Sequence, residues 1–208
     1  MPEPPSGDAD ELNRVLDAAR AGDERAFSAL YRSLTPGLLR YVRVLAGKDA
    51  EDVVAEAWLQ ITRDMNRFTG DIDAFRAWTA TIARNRALDE LRRASCRPKQ
   101  SLLGPDEVTD RPSGDDVAQA ALSRLDTDRA LTLIASLPID QAEAVLLRVL
   151  IGLDAEAAGA VLGKRAGAVR TAAHRGLTRL RALLVDRDAA PVALGVTQIE
   201  DPALRTVR

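Results

Sequence analysis

Hydrophobic residues recur at intervals of three and four along most of the chain, the spacing that places them on one side of an α-helix. Phe27, Leu30, Tyr31 and Leu34, for example, share one such stripe. Thr35 followed by Pro36 is typical of the start of a new helix. In the first half, the pattern therefore predicts separate helices over residues 10–21, 23–34, 36–46, 49–68 and 74–95.

This periodicity stops after Arg97. Residues 97–116 contain three prolines, two glycines and five acids, a composition that predicts a flexible linker. Helical patterns then resume, with a break at Pro138, a short helix over residues 154–162 and a longer one from about Ala166. The Pro-rich start predicts disorder. We therefore expect a disordered segment (1–11), a helical domain (12–97), a linker (98–121), a second helical domain (122–184) and a C-terminal tail (185–208).

Composition supports a helical fold. Hydrophobic residues make up 46% of the 208 residues, enough for a packed core, but aromatic residues make up only 3%. The core must therefore consist mainly of Ala, Leu, Val and Ile, and the first two are strong helix formers. We predict an all-α protein of two small helical domains, the second of which contains a helix-turn-helix.

The chain has few residues that could support cofactor chemistry. A lone cysteine, Cys96, excludes an internal disulfide and is interpreted as a surface thiol, and His174 alone cannot make a zinc site. The carboxylates of Asp71 and Asp73 lie in a Gly-containing polar loop and are interpreted as solvated turn residues. With no Gly-rich phosphate loop or catalytic triad, the sequence predicts neither an enzyme nor a cofactor.

No apolar run approaches the length of a membrane span, and the acidic, Pro-rich start is unlike a signal peptide. We therefore expect a cytoplasmic protein without membrane insertion.

Positive charge is concentrated near the C-terminal end. Residues 163–181 carry six Lys or Arg side chains and no acid, although the whole chain has a net charge of −2. Such a helix can be a solvated face. However, the short helix before it and the turn at Gly163 have helix-turn-helix proportions, and the second helix of that motif lies in the major groove of DNA. Its buried stripe is predicted to comprise Val169, Ala173, Leu177, Leu180 and Leu184.

A second basic segment lies in the first half, where five arginines occur between Phe75 and Arg93. Two DNA-facing helices joined by a linker suit a protein that contacts two separated DNA sites. A helix-turn-helix regulator that binds DNA on its own is an alternative, but it would not need the first block of helices.

Three segments together resemble a bacterial RNA polymerase sigma factor of the extracytoplasmic-function (ECF) group. They are "DAEDVVAEAWLQI", "FRAWTATIARNRALDELRR" and the run from Leu137 to Arg181. The resemblance covers residues 12–97 and 122–184, in the order of the family. It implies an alternative sigma factor that binds core RNA polymerase and promoter DNA, with an anti-sigma factor as a further candidate partner.

The resemblance also implies roles for individual residues. Asp49, Asp52 and Glu56 would contact the clamp helices of the polymerase β′ subunit. The residues implied for the −10 element are Phe68, Trp78, Asn85, Arg92 and Arg93. Those implied for the −35 element are Lys164, Arg165, Arg170, Thr171, His174 and Arg175. The chain departs from the family at Ala55, where Gln is usual, and at Ala172, where Arg is frequent.

Overall fold

The computed structural model describes residues 6–96 and 127–188, and every regular element in these ranges is helical. The helices are α1 (Ser6–Arg20), α2 (Glu24–Ala46), α3 (Ala50–Asp64), α4 (Ile72–Cys96), α5 (127–135), α6 (Ile139–Val145), α7 (Ala155–Leu162) and α8 (Ala166–Asp188). A turn of π-helix, Leu146–Leu150, extends α6. The predicted all-α fold is confirmed. The linker predicted over 98–121 lies outside the described residues.

Helices α1 to α4 form the first block, residues 6–96. Helix α2 packs against α1, α3 and α4, and α3 also packs against α4. Leu16, Tyr41, Ile61 and Phe75 contribute one large side chain from each helix to the core. Asn13 of α1 is linked to the start of α4, because its Oδ1 accepts a hydrogen bond from the Ile72 N–H at 2.8 Å.

The predicted start of the first helix is wrong. Helix α1 begins at Ser6, so residues 6–11 of the segment expected to be disordered are helical. All three prolines of this segment precede Ser6, and none interrupts the helix. Acids at Asp10 and Glu11 lie near the N-terminus of α1, where the helix dipole favours negative charge.

The predicted break at Thr35 is also wrong, since α2 continues from Glu24 to Ala46 with Pro36 inside it. Pro36 has no N–H to donate to the preceding turn. The Thr35 hydroxyl donates to the Tyr31 carbonyl at 2.6 Å in the same region. Buried residues on both sides of the proline, Leu30 and Leu38 among them, hold the helix on the core. Tertiary packing therefore overrides the local signal.

Helices α5 to α8 belong to the second block, residues 127–188. Helix α8 packs against α6 and α7. Its contact with α6 is close at Gly176, where an added Cβ would lie 2.8 Å from Val145 Cγ2 and 3.3 Å from the Gln141 carbonyl oxygen. Only glycine allows the two helices to approach this closely.

The stripe predicted to be buried on α8 is only partly buried. Val169 and Ala173 are buried, whereas Leu177 and Leu184 are about half exposed. The buried line of α8 runs through Gly176 to the partly buried Leu180, which leaves Leu177 beside it. Leu184 is exposed because the 23 residues of α8 extend for about 34 Å, whereas α6 with its π-helical turn covers only about 18 Å. Helix α8 also continues to Asp188, beyond the predicted domain end at residue 184.

The two blocks pack against each other. Helix α4 contacts α7, and α2 contacts the π-helical turn that follows α6. At Gly37 of α2, an added Cβ would lie 3.4 Å from Ile151 Cδ1. Buried apolar side chains of both blocks consequently form one continuous hydrophobic cluster. This contact was not part of the expectation of two domains joined by a linker.

Candidate nucleic-acid and polymerase interfaces

The turn between α7 and α8 is built by local side-chain and backbone chemistry. Asp154 caps α7, since its Oδ1 accepts from the Glu156 and Ala157 N–H groups at 2.9 and 2.7 Å. Gly163 ends the helix in the left-handed conformation, at φ +65°. The Lys164 N–H then bonds back to the carbonyl of Gly159 at 2.8 Å. The predicted helix-turn-helix is confirmed.

A close backbone contact fixes the position of this turn. A Cβ at position 159 would lie 2.6 Å from the carbonyl oxygen of Lys164, closer than a carbon and an oxygen can approach. Glycine is therefore required at position 159, because the backbone after Gly163 passes directly against α7. As a result, the start of α8 lies close against α7.

Four of the residues predicted to contact the −35 element lie together on α8. Arg170, Thr171, His174 and Arg175 are all exposed, at positions one turn apart on one surface of the helix. Val169, Ala173 and Gly176 are buried and attach α8 to the block. Neither arginine pairs with a carboxylate among the described residues. This surface of α8 is thus cationic, with no neutralising carboxylate in the described part of the chain.

The two basic residues of the turn differ. The Lys164 ammonium lies 2.7 Å from Asp140 Oδ1 at the start of α6 and is partly buried. Arg165 is exposed and has no described carboxylate partner. Lys164 therefore connects the turn to α6, whereas Arg165 is more accessible to a ligand.

The aromatic residues predicted at the −10 surface belong to a packed cluster. Phe68 is 9% exposed, and its ring centroid lies 5.2 Å from that of Phe75 and 5.1 Å from that of Trp78. Trp78 is partly exposed at the edge of the cluster. In this arrangement little of the Phe68 ring is accessible for stacking on a base.

The polar residues predicted at the same surface lie further along α4. Asn85 is exposed, and no hydrogen bond joins its side chain to another described residue. Arg92 and Arg93 are also exposed, and each pairs with an acid three residues earlier, at 2.8 Å to Asp89 and 3.2 Å to Glu90. These three side chains could reach a ligand in solution without any change in the backbone.

The acids predicted to bind polymerase lie on and before α3. Asp52 and Glu56 are exposed one turn apart, with Val53 and Ala57 buried on the other side of the helix. Asp49 precedes them in a short 3₁₀ turn and is partly exposed. Because Glu56 lies 3.9 Å from the Arg86 guanidinium of α4, the acidic surface adjoins the basic helix.

Sequence reasoning missed a charged group between the two blocks. Glu143 of α6 is 4% exposed. Its Oε1 accepts from Arg84 Nε at 2.6 Å and from the Tyr41 hydroxyl at 3.0 Å, and its Oε2 accepts from Arg84 Nη2 at 3.3 Å. A sequence signal existed, since Glu143 lies four residues before the fully buried Leu147, on the same side of the helix.

This contact also changes the acid–base properties of its members. Burial, with the Glu143 carboxylate as the next cause, raises the pKa of the Tyr41 hydroxyl far above its ordinary value. Hydrogen bonds to Glu143 raise the pKa of the Arg84 guanidinium. Tyr41 therefore stays neutral and Arg84 stays charged throughout the range in which proteins are folded.

Other kinds of site have little support in this part of the chain. Among residues 6–96 and 127–188, no three His, Cys, Asp or Glu side chains are grouped so that they could hold a metal ion. Within the same ranges, no helix is both long enough and apolar enough to span a membrane.

Known proteins with similar sequences agree with the division into two blocks. The family model for Sigma-70 region 2 matches residues 30–96, and that for Sigma-70 region 4 matches residues 127–180. The chain is 34% identical over 180 residues to the ECF RNA polymerase sigma factor ShbA of Streptomyces griseus, covering 83% of this chain and 94% of that protein. The chain belongs to the ECF RNA polymerase sigma factors.

A second relative of this sigma factor is the ECF RNA polymerase sigma factor BldN of Streptomyces coelicolor. It is 31% identical over 189 residues, or 88% of this chain and 70% of that protein. The fold is similar to that of CnrH in complex with the cytosolic domain of CnrY, with a TM-score of 0.58 and 23% identity over 86% of this chain and 99% of that one. The chain is thus an alternative sigma factor, which directs promoter-specific transcription initiation.

Proposed function

We propose that this sigma factor divides promoter recognition between its two blocks, residues 6–96 and 127–188. The second block would contact the −35 element through α8. The first block would contact the −10 element through α4 and core polymerase through α3.

The exposed surface of α8 carries the proposal for the −35 element. Arg170 and Arg175 project from a helix whose opposite side is buried, and they have no described carboxylate partner. The guanidinium donates two parallel hydrogen bonds, which match the guanine edge or a phosphate. We assign base contacts to Arg170, Thr171, His174 and Arg175.

Arg165 would bind the DNA backbone beside this surface. Lys164 would do so only in exchange for its ion pair with Asp140.

Exposed polar groups on α4 support the role at the −10 element. The Asn85 amide offers both donors and acceptors to a base edge once the strand has opened. Arg92 and Arg93 would bind phosphates by exchanging Asp89 and Glu90 for them. Phe68 and Trp78 would support this surface from the aromatic cluster, and stacking on a base by Phe68 would require its ring to leave that cluster.

The polymerase contact is assigned to Asp49, Asp52 and Glu56, of which the last two are exposed. In this proposal the sigma factor supplies binding and no catalysis, works in the cytoplasm and needs no cofactor. An anti-sigma factor is a further proposed partner, since a solved structure with a similar fold (TM-score 0.53, 21% identity) is that of the sigma factor RpoE in complex with the anti-sigma factor NepR from Bartonella quintana.

Reconstitution with purified core RNA polymerase tests this function. The full chain should co-purify with core enzyme and give discrete run-off transcripts from genomic promoter fragments, whereas core enzyme alone should not. A chain that binds promoter fragments but neither associates with core enzyme nor supports transcription would contradict the proposal.

A further inference from the structure

A cleft lies where α2, the first turns of α4 and the end of the π-helical turn meet. Its volume is about 370 Å³, within the range of pockets that bind small molecules. The first block supplies Ser33, Arg40 and Arg76 to its lining, and the second block supplies residues 150–152. None of these residues belongs to the surfaces assigned above to DNA or to core polymerase.

Glycine at position 37 allows the two walls of the cleft to approach closely. A Cβ added there would lie 3.6 Å from the Leu150 carbonyl oxygen, in van der Waals contact with the second block. On the opposite wall, the Gly152 N–H donates to no described residue. The cleft therefore offers a backbone donor in addition to its side chains.

Arg40 is a partly buried cation whose guanidinium makes no ion pair or hydrogen bond with a described residue. It is an exception in the first block. The other partly buried arginines of residues 6–96 each pair with a carboxylate, and they are Arg20, Arg76, Arg84 and Arg86. A cation withdrawn from water without a compensating anion is unfavourable, so a bound anion would offset this cost.

Arg76 brings a second positive charge to the cleft. It lies 2.7 Å from the carboxylate of Asp73, whose side chain is 72% exposed and therefore well hydrated. Thr79, which also lines the cleft, is buried, and its hydroxyl donates to the Arg76 carbonyl at 2.9 Å. Because none of the lining residues is acidic, the cleft is positively charged.

The rest of the lining indicates the kind of ligand. Aliphatic side chains accompany the arginines, namely Leu34, Leu38, Leu150 and Ile151, and none of the lining residues is aromatic. A nucleotide base would have no ring on which to stack. A guanidinium donates two parallel hydrogen bonds equally well to a phosphate or a carboxylate. The chemistry therefore favours a compact anion with several oxygens over a nucleotide.

We propose that this cleft binds a small polyanionic metabolite, which Arg40 and Arg76 hold through its phosphate or carboxylate groups. The ligand also contacts the second block at Gly152, so it stabilises the packed chain by mass action. This inference goes beyond the proposed function, since the site requires neither promoter nor polymerase.

Titration of the full chain with pyrophosphate and with citrate, at constant ionic strength, tests the site. Amide NMR spectra should show a saturable shift of the Gly152 signal with at least one of these probes. The probe that binds more tightly distinguishes phosphate from carboxylate as the preferred group. Calorimetric titration should give one site per chain for that probe.

A charge-removing variant tests the role of Arg40. Arg40→Gln should weaken binding of the preferred probe about tenfold or more, because it removes charge-assisted hydrogen bonds. Arg25→Gln is the matched control, since Arg25 is an exposed arginine of the same helix outside the cleft. It should bind the probe as wild type does.

Arg76→Gln keeps the test valid if Arg40→Gln folds poorly, which circular dichroism would reveal. It should weaken binding of the same probe about fivefold or more. Unchanged affinity in the folded variants would overturn the assignment of the two arginines.

Other results would also overturn the proposal. Neither probe giving a saturable shift at Gly152 would exclude the site. Equal losses in Arg40→Gln and Arg25→Gln would indicate a general response to charge. If Arg40→Gln weakened promoter binding by the holoenzyme while leaving probe binding unchanged, Arg40 would serve DNA phosphates instead.

Discussion

Helices α4 and α8 both carry arginines, but the two sets differ in their ion-pair partners. Each arginine of α4 lies 2.6–3.9 Å from a carboxylate, in the pairs Arg76–Asp73, Arg84–Glu143, Arg86–Glu56, Arg92–Asp89 and Arg93–Glu90. The four arginines of α8 with described side chains pair with no described carboxylate, and they are Arg170, Arg175, Arg179 and Arg181. The first set is locally neutralised, whereas the second has no neutralising carboxylate among the residues that the structure describes.

This difference determines what each helix would have to exchange in order to bind DNA. The four arginines of α8 can donate hydrogen bonds to a phosphate or a base edge without giving up a described carboxylate partner. Those of α4 must exchange a carboxylate for a phosphate. Exposed ion pairs stabilise a protein by only about 0–1 kcal/mol, so Arg92 and Arg93 can make this exchange easily. Arg84 is different, because its partner is the buried Glu143.

The largest effect on binding is expected at the acidic surface of α3, the proposed contact with core polymerase. Reversal of charge in the Asp52→Lys, Glu56→Lys double variant should weaken binding to core polymerase by several kcal/mol, because like charges would then face each other. The fold should persist, since both side chains are exposed. Competition with wild type for core enzyme measures the effect. Glu51→Lys, an exposed acid of the same turn, serves as control, and equal loss there would contradict the assignment.

The presentation of α8 can be disrupted without altering an arginine. Gly159→Ala would place a Cβ 2.6 Å from the Lys164 carbonyl oxygen and should cost about 1–3 kcal/mol of stability through overpacking. Binding to a −35 duplex should fall with it. Gly167→Ala is the matched control, because nothing lies within 4 Å of its Cβ. Denaturant unfolding that finds the two variants equally stable would show that the turn is not constrained.

A substitution at Asn85 should distinguish the two proposed DNA sites, because this residue is assigned to the −10 element alone. Asn85→Ala should weaken binding to a template with a pre-opened −10 region by about 1–3 kcal/mol, the value of a good base-edge contact. A duplex with only the upstream element should bind as before, because no strand is open there. Gel-shift titration on both templates distinguishes the outcomes. Equal loss on both would mean that Asn85 has a structural role.

The smallest effect is expected at the exposed ion pairs of α4. Arg92→Ala should change the free energy of unfolding by no more than about 0.5 kcal/mol. It should lower the salt slope of promoter binding by about 1, equally for all sequences, as expected for a phosphate contact. Arg179→Ala on α8 should behave alike. A change in sequence preference for either variant would indicate a base contact instead.

The parts of this fold that depend on neighbouring residues were predictable from the sequence. Asp154 as a cap and Gly163 as a left-handed helix end act within a few residues, and the helix-turn-helix follows from them. The helix start predicted at Pro36 is wrong because α2 packs on the core both before and after the proline, and this packing overrides the preference of proline for the first turn of a helix. Leu177 and Leu184 follow the helical period, but Leu177 lies beside the buried line through Gly176, and Leu184 lies where α8 extends past α6.

The contact between the blocks was not predictable in this way. Tyr41 and Glu143 are 102 positions apart, and periodicity within one helix carries no information on such a pair. The exposed site residues were accessible to reasoning because they lie opposite the buried stripes of α3, α4 and α8. The accessibility of Phe68 could not be predicted in this way, since only the structure reveals that its ring packs against Phe75 and Trp78.

The central claim is that Arg170 and Arg175 of α8, which pair with no described carboxylate, recognise the −35 sequence. Its most direct test is the ratio of affinities of the full chain, bound to core polymerase, for promoters with an intact and a scrambled upstream element. Arg170→Ala and Arg175→Ala should each lower this ratio, at a cost of about 1–3 kcal/mol on the intact promoter and little on the scrambled one. Variants that discriminate between the two promoters as well as wild type would contradict the claim and leave α8 as a solvated cationic face.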